Sequence, residues 1–203
     1  MIDWPFIYLA SASPRRHEIL TQMGVSHTVL RVPPPEGDDE PQLPGEAPED
    51  YVIRTAHEKA ERAIHWLAHQ NDLPPAPVLA SDTTVILQGE ILGKPTDLIH
   101  AAEMLQRLSG NTHEVRTAVV LMNGRQCFSA VSCSNVTFAA LSGDDIARYC
   151  ATREPLGKAG SYGIQGMAGM FVRHLSGSYT GVMGLPMYET AVLLRRLSPP
   201  ANH

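Results

Sequence analysis

The chain has 203 residues, 43% of them hydrophobic, with a mean hydropathy of -0.12 and a net charge of -5. This composition is typical of a globular domain, and no apolar stretch reaches the ~18 residues that a membrane-spanning helix needs. No basic residue precedes Arg15 and there is no long apolar leader segment, so a signal peptide is not expected. Cys127, Cys133 and Cys150 have no C-x-x-C spacing and are predicted to be reduced core thiols of a cytoplasmic protein.

The acidic residues are concentrated in one segment. Between Val32 and Tyr51 there are seven acids and no Lys or Arg, and the remainder of the chain has 16 basic against 14 acidic residues. A nucleic-acid-binding protein would show a basic face and a high pI, so no nucleic-acid partner is expected. This distribution suits a small anionic ligand that is neutralised locally.

The acidic segment also predicts a flexible, proline-rich loop over about residues 33–49. At the other end of the chain, residues 198–203 are predicted to form a short tail. We interpret most of the acids in the loop as a solvated face. Asp39 and Glu40 form the pair that could instead reach a divalent metal, since such ions favour carboxylate oxygen.

The N-terminal stretch holds the first candidate site. Residues 6–9 predict a buried strand, and Ser13-Pro14 predicts the start of a helix that ends at Gly24. Arg15 and Arg16 then fall in the first helical turn, where the macrodipole disfavours cations by about 0.3–1 kcal/mol. A bound polyphosphate would compensate for this cost, although two solvent-exposed arginines are the alternative interpretation.

The next predicted elements are a short strand at 25–32 and a helix from Asp50 to Gln70. Lys59 falls about 90° from the centre of the apolar stripe of this helix. It could therefore extend from the rim of the buried face into a cleft, or simply lie along the surface.

Asp82 is the leading candidate for chemistry. It interrupts an apolar strand at 78–87, and an unpaired buried carboxylate must find a cation or a metal. Gln88-Gly89 predicts a hairpin turn whose return strand would bring Lys94 beside Thr83. A salt bridge or a base with a phosphate clamp would both explain this placement.

The C-terminal half alternates helices and strands. Thr96 is expected to cap a helix over 97–108, Asn123-Gly124 to turn a hairpin, and Ser142 to cap a helix over 144–151. Residues 157–184 are rich in glycine, which predicts either a close approach of backbone to ligand or a set of turns. A last helix is expected from Pro186 to Leu197.

Taken together, these segments resemble the Maf family of nucleoside triphosphate pyrophosphatases. The matching strings, in the order of the family, are LASASPRR (9–16), SDTTV (81–85), ILGKP (91–95), LSGNTHEVRT (108–117), KAGSYGIQG (158–166) and GSYTGVMGLP (177–186). The resemblance covers nearly the whole chain and implies a single domain over 1–203. Its implied fold is α/β, a mixed sheet flanked by helices with two lobes around a central cleft, similar to inosine triphosphate pyrophosphatases.

The resemblance implies hydrolysis of a nucleoside triphosphate to the monophosphate and pyrophosphate with Mg²⁺ or Mn²⁺. Asp82 matches the proton acceptor, and Asp82 and Glu40 match positions near the metal. The positions that match the polyphosphate-binding residues of the family are Ser11, Arg15, Arg16, Lys59 and Lys94. Such chemistry rests mainly on positioning and charge neutralisation.

Base preference is expected to depend on Gln165. Its amide can accept from N3–H of uracil or thymine and donate to a neighbouring carbonyl. Arg15 and Thr83 match other specificity positions, so the chain resembles the branch that acts on dTTP and UTP.

Two alternatives remain at this stage. One is a pyrophosphatase for 7-methyl-GTP, and the other is a nucleotide-sensing regulator of septum formation that acts through a protein partner. A homodimer is compatible with the sequence.

Overall fold

A computed structural model describes residues 3–35 and 40–197. The chain divides into two compact units, one of Met1–Asp82, Ala118–Val131 and Gly184–His203, the other of Thr83–Thr117 and Ser132–Met183. Three of the four boundaries between these segments fall inside strands, and the fourth follows Met183.

The described residues form a seven-stranded mixed sheet with helices, as predicted for the fold class. The strands are β1 (Ile7–Leu9), β2 (His27–Val29), β3 (Val78–Leu87), β4 (Glu90–Leu92), β5 (Thr112–Asn123), β6 (Gln126–Phe138) and β7 (Val172–Ser176). The order across the sheet is β2-β1-β3-β5-β6-β7, with β4 paired to β3. β1 runs parallel to β2 and β3, whereas β3–β4 and β6–β7 are antiparallel.

The helices are α1 (Pro14–Gln22), α2 (Pro48–Leu67), α3 (Leu98–Leu108), α4 (Gly143–Ala151), α5 (Tyr179–Met183) and α6 (Met187–Arg195). Two short 3-10 helices, Ala159–Ser161 and Met167–Phe171, lie in the glycine-rich segment. None of the helices among residues 3–35 and 40–197 is both long and apolar enough to cross a bilayer.

The core of the first unit is built on α2. Its stripe of small residues, Ala56, Ala60 and Ala63, is fully buried. Ala56 and Ala60 pack with Ala80 of β3, and Ala63 packs with Tyr8 of β1. Small side chains let a helix approach a sheet closely, which brings the polar residues beside the stripe near the end of β1 and the middle of β3.

The second unit has a core of aliphatic and aromatic side chains. Phe138 lies at its centre and meets Tyr162, Phe171 and His113 edge-on, with ring centroids 4.9, 6.1 and 5.1 Å away. α3 supplies Leu105 and Leu108 to the same core. These contacts hold the glycine-rich segment against the sheet strands of this unit.

Several local predictions are corrected by the structure. Asp97, not Thr96, caps α3, because its carboxylate accepts the His100 N–H at 2.8 Å. Ser13 occupies the N-cap position of α1, but its hydroxyl makes no capping bond. Cys127 and Cys133 are exposed, so only Cys150 is a core thiol.

Part of the acidic segment makes contacts that the sequence did not predict. Residues 36–39, including Asp39 of the proposed metal pair, lie outside the described residues. Glu40 is partly buried and Glu46 is bound to an arginine, while α2 already begins at Pro48. The prediction of a solvated face is therefore wrong for Glu46, whose side chain is 8% exposed.

Candidate active site

The turn between β1 and α1 places a serine and an arginine together. The Arg16 guanidinium donates to Ser11 Oγ at 3.1 Å and to the Gly184 carbonyl at 2.8 Å. Ser11 Oγ also accepts the Ser13 N–H at 3.2 Å, which closes the turn tightly. Arg15 precedes Arg16 in the first turn of α1, so both predicted arginines lie at this helix start.

Asp82 and Glu40 meet at one ammonium group. Lys59 Nζ lies 2.6 Å from Asp82 Oδ1 and 2.5 Å from Glu40 Oε1. The Asp82 side chain is 6% exposed and that of Lys59 15%. Because α2 packs on β3 through small residues, Lys59 at the rim of its buried face reaches the one charge of that strand.

Charges around Asp82 overcome the effect of its burial. Burial raises the pKa of Asp82, but Lys59 by charge and hydrogen bonding, and Arg16 by charge, hold that pKa below its usual value. Burial in turn lowers the pKa of Arg16, and Asp82 and Glu40 oppose this effect. Asp82 is therefore ionised at neutral pH, beside two cations. We call Ser11, Arg16, Glu40, Lys59 and Asp82 the Asp82 cluster.

The carboxylates of the Asp82 cluster are of the chemical type that binds a divalent cation. No group of three or more His, Cys, Asp or Glu is arranged as a metal site within 3–35 and 40–197. Magnesium sites at phosphoryl centres, however, use one or two carboxylates and complete their shell with substrate phosphates and water. Asp82 and Glu40 each place one carboxylate oxygen within 2.6 Å of the same lysine nitrogen, and so provide two neighbouring carboxylates.

Thr83 follows Asp82 but belongs to the other unit. Its hydroxyl lies 3.0 Å from Thr117 Oγ1, which also donates to the Gly181 carbonyl at 2.8 Å. Thr117 is fully buried and Thr83 is partly exposed. Thr83 can therefore present a hydroxyl at the surface of its unit from a fixed position.

Gln165 is exposed and lies between the two 3-10 helices of the glycine-rich segment. Glu154 fixes its neighbours by accepting the Met167 N–H at 3.2 Å. A Cβ on Gly166 would lie 2.2 Å from the same carboxylate, so a side chain at this position would have to displace Glu154. Gly166 thus packs closely against Glu154, while the predicted approach of this segment to a ligand stays a prediction.

Lys94 is exposed just beyond β4. The register Val85–Leu92, Ile86–Ile91 and Leu87–Glu90 agrees with the predicted hairpin, but β4 ends before Lys94. Gln88 and Gly89 both have positive φ, as a type I′ turn requires.

The sequence analysis did not identify Ser81 and Gly184, two residues of the first unit, as part of the candidate site. The Gly184 carbonyl accepts from Arg16 and, at 3.0 Å, from Ser81 Oγ, so Ser81 anchors the backbone that orients the arginine. A backbone acceptor leaves no side-chain signal. A polar residue at 81 within an apolar strand was the one available hint.

Fold and site together define an α/β protein in which a cationic helix start lies in the same unit as a buried aspartate paired to lysine. A family model described as Maf-like protein matches residues 6–197. The chain therefore belongs to the Maf family.

Relatives match over nearly the full length. Proteins named dTTP/UTP pyrophosphatase from Bordetella avium and Bordetella pertussis are 59% and 60% identical, covering 95% of this chain and 95% and 93% of theirs. One from Cupriavidus pinatubonensis is 51% identical, over 94% of this chain and 96% of its own. Among solved structures, the Staphylococcus aureus Ham1 protein aligns with a TM-score of 0.41 and 14% identity, over 66% of this chain and 72% of its own.

Proposed function

We propose that this protein is a nucleoside triphosphate pyrophosphatase that hydrolyses dTTP and UTP to the monophosphate and pyrophosphate. The relatives that carry this name are 50–60% identical over nearly the whole chain. The single observation that carries the proposal here is the Asp82 cluster, a buried ionised acid held between cations. The substrate class implies action in the cytoplasm.

The cations of the first unit suit a triphosphate tail. Arg16 presents a planar fork that matches phosphate oxygens, and its Nε bond to Gly184 fixes the plane of that fork. Arg15 and the first N–H groups of α1 add positive charge at the same helix start. The charge cost of two arginines in a first helical turn is removed when an anion binds there.

Asp82 is proposed to accept the proton of the attacking water. Its carboxylate is ionised at neutral pH, so it can take a proton without first losing one. Lys59 binds the two carboxylates through one nitrogen, and it can turn toward a phosphate oxygen when substrate arrives. When bound by Asp82 and Glu40, Mg²⁺ or Mn²⁺ supplies Lewis-acid charge neutralisation of the phosphate oxygens and acidifies water.

Base selection is assigned to Gln165, with Thr83 and Arg15. An amide can accept from N3–H and donate to a carbonyl, which is the pattern of uracil and thymine. Cytosine reverses this pattern, because its N3 is an acceptor and its exocyclic nitrogen a donor. Lys94 is proposed to add a further contact to the polyphosphate.

Pyrophosphate release from a panel of nucleotides with Mg²⁺ tests the proposal. We expect the highest kcat/KM on UTP and dTTP, with CTP about 10-fold or more below UTP, as loss of a matched hydrogen bond costs on this scale. Including 7-methyl-GTP in the panel distinguishes a preference for uracil and thymine from a preference for methylated guanine. Faster turnover of 7-methyl-GTP than of UTP would contradict the base assignment, and no turnover of any nucleotide would contradict the enzyme.

A further inference from the structure

Arg54, in the first half of α2, contacts the segment before that helix through three groups. It bonds both carboxylate oxygens of Glu46 at 2.6 and 2.7 Å and the Pro41 carbonyl at 2.8 Å. The Glu46 side chain is 8% exposed, and its Oε2 also accepts the Leu43 N–H at 3.1 Å. One guanidinium thus ties both ends of residues 41–46 to the helix.

This segment carries Glu40 into the Asp82 cluster. The Tyr51 hydroxyl donates to the Glu40 carbonyl at 3.1 Å, and the Arg54 guanidinium lies 5.6 Å from the centre of the Tyr51 ring. Tyr51 and Lys59 are eight residues apart, two turns along one face of α2, so one holds the Glu40 backbone and the other its carboxylate. Glu40 is therefore fixed from both sides by the same helix.

We propose that Arg54 is a positioning residue, which fastens residues 40–46 to α2 and so holds Glu40 beside Asp82 and Lys59. The proposal rests on the proposed function, because it gives Glu40 a place in the reaction. The contacts are of the strong kind: a bidentate, charge-assisted pair is shielded from water on its acidic side. The pKa of Arg54 is raised and that of Glu46 lowered, each chiefly by this hydrogen bond.

A second ion pair of Arg54, with Glu58, provides a matched control for the pair with Glu46. Its NH1 bonds both oxygens of Glu58 at 3.0 Å, but Glu58 lies one turn further along α2 and its side chain is 46% exposed. Glu46→Gln and Glu58→Gln remove the same charge from the same arginine. Only the first one acts on the segment that carries Glu40.

Amide hydrogen exchange and kcat/KM on UTP are measured for both variants, with the unfolding free energy as the check on folding. We expect Glu46→Gln to speed exchange over residues 40–46 and lower kcat/KM by about 10-fold, the scale of a charge-assisted bond. Glu58→Gln should change kcat/KM by less than about 2-fold, as exposed pairs do. Equal effects of the two variants on exchange and on kcat/KM would overturn the proposal.

A double-mutant cycle with Glu40→Gln separates positioning from general stabilisation. If Arg54 acts through Glu40, adding Glu46→Gln to Glu40→Gln lowers kcat/KM by less than about 2-fold further. A full further loss would show that the contact only stabilises the fold, and would overturn the proposal. Should the wild type hydrolyse no nucleotide, the proposed function fails, and the exchange comparison still decides whether Glu46 fixes residues 40–46.

Discussion

Asp82 shows how one charged residue within a buried strand indicates a candidate active site. An aspartate within a buried strand predicts a partner cation, and the structure supplies Lys59 at 2.6 Å. The cost of burying a charge was enough to predict that Asp82 has a partner cation. The sequence could not show that this cation is Lys59, because Lys59 is 23 residues away and meets Asp82 only when α2 packs on β3.

Asp82→Asn tests the chemical role of this residue. The amide keeps the shape of the carboxylate but cannot accept the proton of water, so we expect kcat to fall by about 10²–10⁴-fold. UTP binding should persist, since Arg16 and Lys59 remain. Kinetics and calorimetric binding check both parts, and a variant that retains wild-type kcat would remove Asp82 from the proposed role.

His113 gives a pH-dependent prediction. It is 2% exposed, its Nε2 lies 2.7 Å from the Tyr162 hydroxyl, and burial lowers its pKa to about 4 from the usual 6.5. The unfolded chain therefore binds a proton between these values that the native protein does not. The contribution of His113 to stability is present above pH 6.5 and is lost as the pH falls toward 4.

Urea unfolding of the wild type and His113→Gln at two pH values measures this effect. The wild type should lose about 2 kcal/mol more than the variant between pH 7 and pH 5. Taking the difference between the two proteins in the loss of unfolding free energy removes the contributions of the other titrating groups. An equal loss in both would show that His113 is not held neutral.

At the scale of elements, strong local signals gave correct boundaries. The observed β3, Val78–Leu87, has the predicted ends, because Pro77 bounds the strand on one side and a turn on the other. The capping box of α4 is formed by Ser142 and Asp145. Where two capping residues adjoin, as at Thr96 and Asp97, the local pattern could not decide between them.

The glycine-rich segment 157–184 was the least predictable. It folds into two 3-10 helices, β7 and α5, and its form depends on tertiary contacts that no local pattern contains. Gly160 is an example. Its φ is +65°, and an added Cβ would lie 2.8 Å from Val85 Cγ1 in β3.

Gly160→Ala and Gly157→Ala form a matched pair for this element. Both glycines have positive φ, but the added methyl of Gly157 would meet nothing within 4 Å. We expect Gly160→Ala to lower the unfolding free energy by about 1–3 kcal/mol more than Gly157→Ala, the range found for overpacking. Denaturant unfolding compares them, and equal losses would mean that backbone conformation alone requires glycine at 160.

At the scale of the whole molecule, the distribution of acidic residues along the sequence helped to predict part of the site. The division of the chain into two units could not be predicted. The seven acids between Val32 and Tyr51 mark a segment that brings Glu40 to the Asp82 cluster. Each of the two units is assembled from segments that are far apart in the chain, so no single window of sequence contains the division. The order of six family strings gave the fold class where physical patterns alone gave separate elements.

The central claim is that the Asp82 cluster lies in an enzyme that splits a nucleoside triphosphate between the α and β phosphates. Phosphorus NMR of UTP incubated with the wild-type protein and Mg²⁺ tests it most directly. The account predicts UMP and pyrophosphate in equal amounts, with no UDP. Release of UDP and inorganic phosphate, or UTP that stays intact, would contradict it.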